Sequence, residues 1–143
     1  MTLQKNVLEY LEGSAARFPD KTAFADEGES FTFGRMLACA RAMGSAIADR
    51  TDRHNAPVAV LVDRTAATLV SFMGVLCSGN YYVPIDIQMP LPRMRTILET
   101  VSPAAIICPA DQEPNMSAFS GLCPCFFTVR VILISDCLNC LPL

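Results

Sequence analysis

The residues best equipped for chemistry in this chain are its thiols, a few carboxylates that follow apolar runs, and one imidazole. Seven cysteines are present, and four of them, Cys123, Cys125, Cys137 and Cys140, form a Cys-x-Cys pair and a Cys-x-x-Cys pair near the C-terminus. Four thiolates could close a tetrahedral zinc site. Against that reading, the first pair is Cys-Pro-Cys, and the intervening Phe126 to Ile134 predicts a buried strand rather than a knuckle loop. An odd count without an export signal points to reduced thiols packed as small hydrophobes, so no residue is assigned to a metal. The single histidine, His54, lies in the polar stretch Asp52-Arg53-His54-Asn55 and reads as solvated. A Ser–His or Cys–His pair would have only this residue as its base.

Asp86 and the pair Asp63-Arg64 are the more suggestive positions, because open α/β sheets bind ligands beyond the carboxyl ends of their strands. The same carboxylates also stand where they could serve a turn or cap a helix, which is the simpler role. The glycines are dispersed, and none of the patterns G-x-x-x-x-G-K-S/T, G-x-G-x-x-G or G-x-S-x-G occurs. Phosphate cradling and nucleophile-elbow chemistry thus lack their usual signatures, and no residue is assigned a catalytic or cofactor-binding role.

The elements that must position these residues follow from periodicity. Val7, Leu8, Leu11, Ala15 and Phe18 recur at helical spacing, with Asn6 placed as cap and Pro19 as stop. Thr22 to Asp26, a turn at Glu27-Gly28-Glu29, and Ser30 to Thr32 predict a short hairpin. Thr32 then caps a helix over about 33–49 with the apolar stripe Met36, Leu37, Ala40, Met43, Gly44 and Ile47.

From Pro57 the pattern changes. Val58 to Val62 is a continuous apolar run, the signature of a strand covered on both faces. A helix over about 66–77 follows, Gly79-Asn80 ends it, and a short strand begins at Tyr81. The unit repeats as a helix from Pro90 to about Val101 and a strand Ala105 to Cys108. Strand and helix alternation of this length predicts an α/β fold, a partial, open, mostly parallel sheet with flanking helices and right-handed crossovers. Its expected core is Val58, Val60, Leu61, Val62, Leu69, Phe72, Met73, Leu76, Val83, Ile97, Leu98, Ile106 and Ile107. Ala110 to Gly121 is polar, contains Pro114 and carries no regular pattern.

At 143 residues, 52% of them hydrophobic, the chain suits one domain. Charged residues make up 17%, below the roughly 25% typical of soluble domains, so either much surface is buried or some apolar surface lacks its natural cover. The net charge is -3, and the eleven Lys and Arg are scattered, which argues against nucleic acid as a partner. Gln4, Lys5 and Glu9 interrupt the N-terminal apolar residues, unlike a secretory signal. Phe126 to Ile134, broken by Arg130, falls short of the roughly 20 residues a membrane span needs. A cytoplasmic protein without membrane contact is expected.

An ordered series of motifs then gives a resemblance. Phe18-Pro19-Asp20-Lys21-Thr22-Ala23-Phe24 looks like the opening strand of amino-acid adenylation domains, and Phe31-Thr32-Phe33-Gly34-Arg35-Met36 resembles their first core motif, L-T-Y-x-E-L. Leu76-Cys77-Ser78-Gly79-Asn80-Tyr81-Tyr82-Val83-Pro84-Ile85-Asp86 is similar to their second, L-K-A-G-x-x-Y-V-P-I-D. Asp63-Arg64-Thr65 occupies the place of x-R-S, and Pro90 with Arg93 that of P-x-x-R. The register holds without a gap from about Val58 to Cys108. In this pattern Gly79 ends a helix, Tyr82 and Val83 fill a short buried strand, and Pro84 stiffens its exit. The chain departs from the pattern at Arg35, where glutamate would complete a capping box, at Ile87, usually proline, and at Pro92, usually acidic or small.

The resemblance covers roughly Val7 to Cys108 and is to the adenylate-forming (AMP-binding) ligases, nonribosomal peptide synthetase type. It implies activation of an amino acid or other carboxylic acid with ATP and Mg²⁺, giving an acyl-adenylate and pyrophosphate, then transfer to a carrier-protein thiol. The family's phosphate loop, nucleotide contacts, substrate pocket and C-terminal lysine have no counterpart in this sequence. Residues 1–121 are therefore expected to be the N-terminal part of an adenylation domain, ending before the phosphate-loop motif. Residues 122–143 form a tail that is either a further strand or foreign sequence from a shifted reading frame. Such a fragment is expected to be inactive alone and to self-associate. The alternative is a small non-catalytic α/β interaction module.

Overall fold

The computed structural model describes residues 3, 5–120 and 130–133. Helix α1 spans Val7–Arg17, and the Asn6 side chain accepts the Glu9 N–H at 3.0 Å as its cap. Strands β1 (Thr22–Ala25) and β2 (Ser30–Thr32) form the antiparallel hairpin. Helix α2, Phe33–Arg50, starts at Thr32, whose hydroxyl accepts the Arg35 N–H at 3.1 Å.

Arg35 takes up a different role from the glutamate of the capping box. Its guanidinium donates to the Ser30 carbonyl at 2.9 Å and to Glu29 Oε1 at 2.8 Å, and lies 4.4 Å from the centre of the Phe31 ring. The helix start is thereby tied to the hairpin by a cation over an aromatic face, an arrangement glutamate could not make.

The second half alternates as expected: β3 (Pro57–Val62), α3 (Ala66–Cys77), β4 (Tyr81–Asp86), α4 (Leu91–Val101) and β5 (Ala105–Cys108). Strand β6, Arg130–Leu133, falls within the predicted run and pairs with β5. The four strands stand in the order β4-β3-β5-β6, and every pairing is parallel.

Alternation along β3 explains the layers. Val58 and Val60 face α2 and α3, where they meet Met43, Ile47 and Val75. Ala59 and Leu61 face the opposite side with Met94 and Leu98 of α4. The step from β3 to β4 and the step from β4 to β5 run in opposite directions across the sheet, so helices on opposite faces mean that both crossovers share one hand. A third cluster, around Leu11, Phe31, Met36 and Val70, seats α1 and the hairpin on the helical layer.

Four sequence expectations are corrected. Pro84 is not the exit of strand β4: pairing continues through Pro84 to Asp86, which an edge strand tolerates because outward positions need no ladder donor. Tyr82 and Val83 are only half-buried for the same reason, with Tyr82 stacked on Phe72 at 4.2 Å between ring centres and 12° between planes. On α3 the fully buried side is small, with Val70, Ser71, Gly74 and Val75, while Leu69, Phe72, Met73 and Leu76 are half-buried. The cause is close approach to α2: a Cβ on Gly74 would stand 2.7 Å from Met43 Cβ, and one on Gly44 2.7 Å from Cys77 Cβ. Val62 and Ile97 are likewise half-buried, whereas Val58, Val60, Leu61, Leu98, Ile106 and Ile107 are core as expected.

The fourth correction concerns the stretch after Pro109. It forms a 3-10 turn, Ala110–Gln112, and helix α5, Glu113–Ser120, with Pro114 in the first turn where no N–H is required. Met116 and Phe119 of α5 are buried against the α4 side of the sheet. Pro92 is accommodated in the first turn of α4 in the same way, and Ile87 packs beside the α4 cluster.

Candidate functional site

The parallel register sets Val62 opposite Asp86, which brings Asp63 and Asp86 to the same end of the sheet. Val62, Asp63, Arg64, Asp86, Ile87 and Gln88 line a depression of about 160 Å³ there. This is the carboxyl end of the strands, where the sequence places its candidate carboxylates.

The bonds made by those carboxylates define what they do. Asp63 Oδ1 accepts the Thr65 N–H at 3.1 Å, the Thr65 hydroxyl at 2.6 Å and the Thr68 hydroxyl at 2.8 Å. Asp86 Oδ1 accepts the Gln88 N–H at 2.8 Å and so fixes the turn into α4. Arg64, between them in sequence, is exposed and adopts a left-handed φ of 63°. Asp63 is thus not the cap residue of α3, which is Thr65; it braces the turn before the cap.

The first amide of α3 is satisfied from elsewhere. Asp26, at the end of the hairpin's first arm, accepts the Ala66 N–H on Oδ2 at 2.8 Å and the Gly28 and Glu29 N–H groups on Oδ1 at 2.7 Å each. These bonds, Ala66 first, hold its carboxyl below the ordinary value of 3.8. Sequence reading missed Asp26 as a helix-capping residue because capping signals are local, and this partner lies 40 positions away.

His54 does not join the carboxylates. It is exposed in the loop before β3, near Gly79, at the amino end of the strands. The described cysteines are free thiols: Cys39 and Cys108 are buried and Cys77 is partly so. Burial raises all three, and Cys108, further opposed by Glu113 and Asp111, is pushed up to about 11. Such thiols are poor nucleophiles near neutral pH. Cys123, Cys125, Cys137 and Cys140, and with them the expectation that no zinc is held there, lie outside the described residues.

A separate apolar groove of about 170 Å³ runs between α1, the hairpin and the α2–α3 layer, lined by Val7, Tyr10, Phe24, Phe33 and Met73 among others. Val7, Tyr10 and Phe24 are exposed there. The groove has no charged side chain in its lining and offers packing rather than chemistry.

A parallel sheet with helices on both faces, entered by a hairpin and carrying its polar turns at the strand ends, defines an open α/β domain. The model of the AMP-binding enzyme family matches residues 11–141. The chain is 32% identical over 113 residues to gramicidin S synthase 2 of Brevibacillus brevis, a match covering 79% of this chain and 2% of that protein. It is 36% identical over 91 residues to surfactin synthase subunit 1 of Bacillus subtilis, covering 64% of this chain and 2% of that one. Among solved structures, the anthranilate CoA ligase AuaEII superposes with a TM-score of 0.84 at 23% identity, over 99% of this chain and 28% of that one.

The chain belongs to the AMP-binding enzyme family. It spans only about 2% of the length of these two synthases.

At the two places the sequence singles out, the α3 N-terminus and the Asp63–Asp86 end of the sheet, the chain's own groups already take up the donors and acceptors that ATP and Mg²⁺ would meet first. At the α3 N-terminus, where a phosphate could meet backbone amides, the Thr65 and Ala66 N–H groups already donate to Asp63 and Asp26. Asp63 and Asp86 are engaged by their own turns, and among the described residues no group of three or more His, Cys, Asp or Glu could hold a metal ion.

Proposed function

We propose that residues 1–121 are the N-terminal framework of an adenylation domain of the nonribosomal peptide synthetase type, and that residues 122–143 continue it with the segment that carries β6. The whole ligase would activate an amino acid or other carboxylic acid with ATP and Mg²⁺ as an acyl-adenylate, release pyrophosphate, and pass the acyl group to a carrier-protein thiol. It would act in the cytoplasm; no helix among the described residues is long and apolar enough to cross a membrane.

The observation that carries the reading is the run Leu76 to Asp86, which forms the joint from α3 into β4 in a chain matched by the family over 11–141. Within that joint Gly79 has φ +81°, the conformation that lets the helix end and the strand begin at once. The function of this chain is then positional. Its carboxylates fasten turns, and its sheet supports the parts of the ligase that hold nucleotide and acid.

Acyl-adenylate formation depends on donors and cations preorganised around the polyphosphate. The 143-residue chain alone is therefore expected not to catalyse amino-acid-dependent ATP–pyrophosphate exchange. The assay runs all twenty amino acids with several aryl and fatty acids against a heat-killed control. Exchange above that control would overturn the framework reading.

A further inference from the structure

We infer that β4 is a closed boundary of the sheet, an edge that meets other chains or domains through side chains alone and accepts no additional strand. In the β3–β4 ladder the Tyr81 N–H donates to Ala56 O at 3.1 Å and the Ile87 N–H to Val62 O at 3.2 Å. In a parallel strand the backbone groups of successive residues point to opposite sides. Tyr81, Val83, Ile85 and Ile87 therefore turn their amides toward β3, and Tyr82, Pro84 and Asp86 turn theirs outward.

Those outward positions are three, and only one is whole. Pro84 has no N–H, so the middle of the row lacks its donor. The Asp86 carbonyl is taken by the Met89 N–H at 3.0 Å as the chain turns toward α4. Among the described residues Tyr82 alone keeps both a free donor and a free acceptor on that side, and one complete position cannot hold a strand in register. Edge strands of natural sheets are protected by such devices. Pro84 is exposed, so its position is not set by packing under another element of the described structure.

The inference is independent of the catalytic reading and is tested on the full chain with Pro84→Val and Pro84→Lys. Valine restores the donor in a good strand former, whereas lysine restores the donor but adds a charge that guards edges. Sedimentation velocity over a tenfold concentration range should show the average sedimentation coefficient of P84V rising more steeply than that of the wild type, with P84K matching the wild type. Hydrogen exchange in parallel should find the amides of Val83 and Ile85 slow in all three proteins, Tyr82 fast in the wild type, and Tyr82 slowed in P84V as association proceeds. No steeper rise for P84V, an equal rise for both variants, or a protected Tyr82 amide in the wild type would overturn the inference. So would lost protection of Val83 and Ile85 in P84V, since valine suits a strand at this position.

Discussion

The carboxylate of Asp26 accepts the backbone N–H of Ala66 at 2.8 Å, joining the hairpin to the first turn of α3 across 40 residues of sequence. The bond closes a loop that contains all of α2 and β3. It makes the packing of the hairpin and the capping of α3 one event rather than two.

Replacement of Asp26 should therefore loosen more than the hairpin. Asp26→Ala is expected to lower the urea midpoint, and Asp26→Asn to recover only part of the loss, because an amide has one acceptor oxygen where the carboxylate uses two. The folded-state pKa is depressed below 3.8, chiefly by the Ala66 bond. The contribution is thus present above the unfolded value and lost as pH falls through the lower folded value. Urea melts from pH 6 downward should show wild type and D26A converging in acid. A gap that stays constant would mean that the charge of Asp26 does not matter.

The α2–α3 seam has no room for a methyl group. Gly44→Ala would set its Cβ 2.7 Å from Cys77 Cβ and 3.2 Å from backbone atoms of Cys77 and Gly74. The expected loss is about 1–3 kcal/mol, typical of overpacking. Gly74→Ala meets only the side chain of Met43, with Cβ at 2.7 Å, where Gly44→Ala also meets backbone; both glycines lie in helices, so the helix-propensity gain of roughly 1 kcal/mol is common to the two. Denaturant titrations should rank G44A as the less stable. Adding Cys77→Ala should not rescue it, because the clashing Cβ remains.

Gly79 is a conformational rather than a packing constraint. Its φ is +81°, and an added Cβ would meet only His54 Nδ1, at 3.5 Å. Gly79→Ala should cost about 1–2 kcal/mol from the left-handed backbone alone. Gly79→Asn should cost less, since asparagine visits that region more readily. Thermal melts of the pair distinguish the two causes, because the larger side chain would be the worse if space were limiting.

Cys108 should resist alkylation. Its thiol is fully buried at the end of β5, and burial, with Glu113 and Asp111, pushes it up to about 11. Iodoacetamide at pH 8 should label Cys108 only after denaturation, as read by peptide mass spectrometry. The same upward shift means that folding stability linked to this thiol is kept below the ordinary value of 9.0 and lost as pH rises through about 11. Rapid labelling of the native protein would show that the α4 face of the sheet opens readily.

By itself the sequence determined the elements and their order, because each is written in local chemistry. The apolar run at Val58 to Val62, the cap at Thr32 and the left-handed stop at Gly79 each act within a few residues, and the structure places all three as read. Two departures from local legibility were Pro84, which the motif pattern made an exit, and Pro114, which hid a helix. A proline removes one donor, and whether that ends an element depends on where the donor would have pointed.

Tertiary structure alone decided the rest. Whether Asp63 and Asp86 were ligands or turn braces turned on which amides and hydroxyls came within hydrogen-bond reach, and Asp26 acquired its partner only when the hairpin met α3. Burial on α3 was settled by the separation of two helix axes at Gly44 and Gly74, which admitted small side chains and left the larger ones at the margin. Local sequence encodes what a residue prefers. Distances between elements far apart in the chain are fixed by how whole surfaces pack, and they determine which atoms of that residue remain free to act.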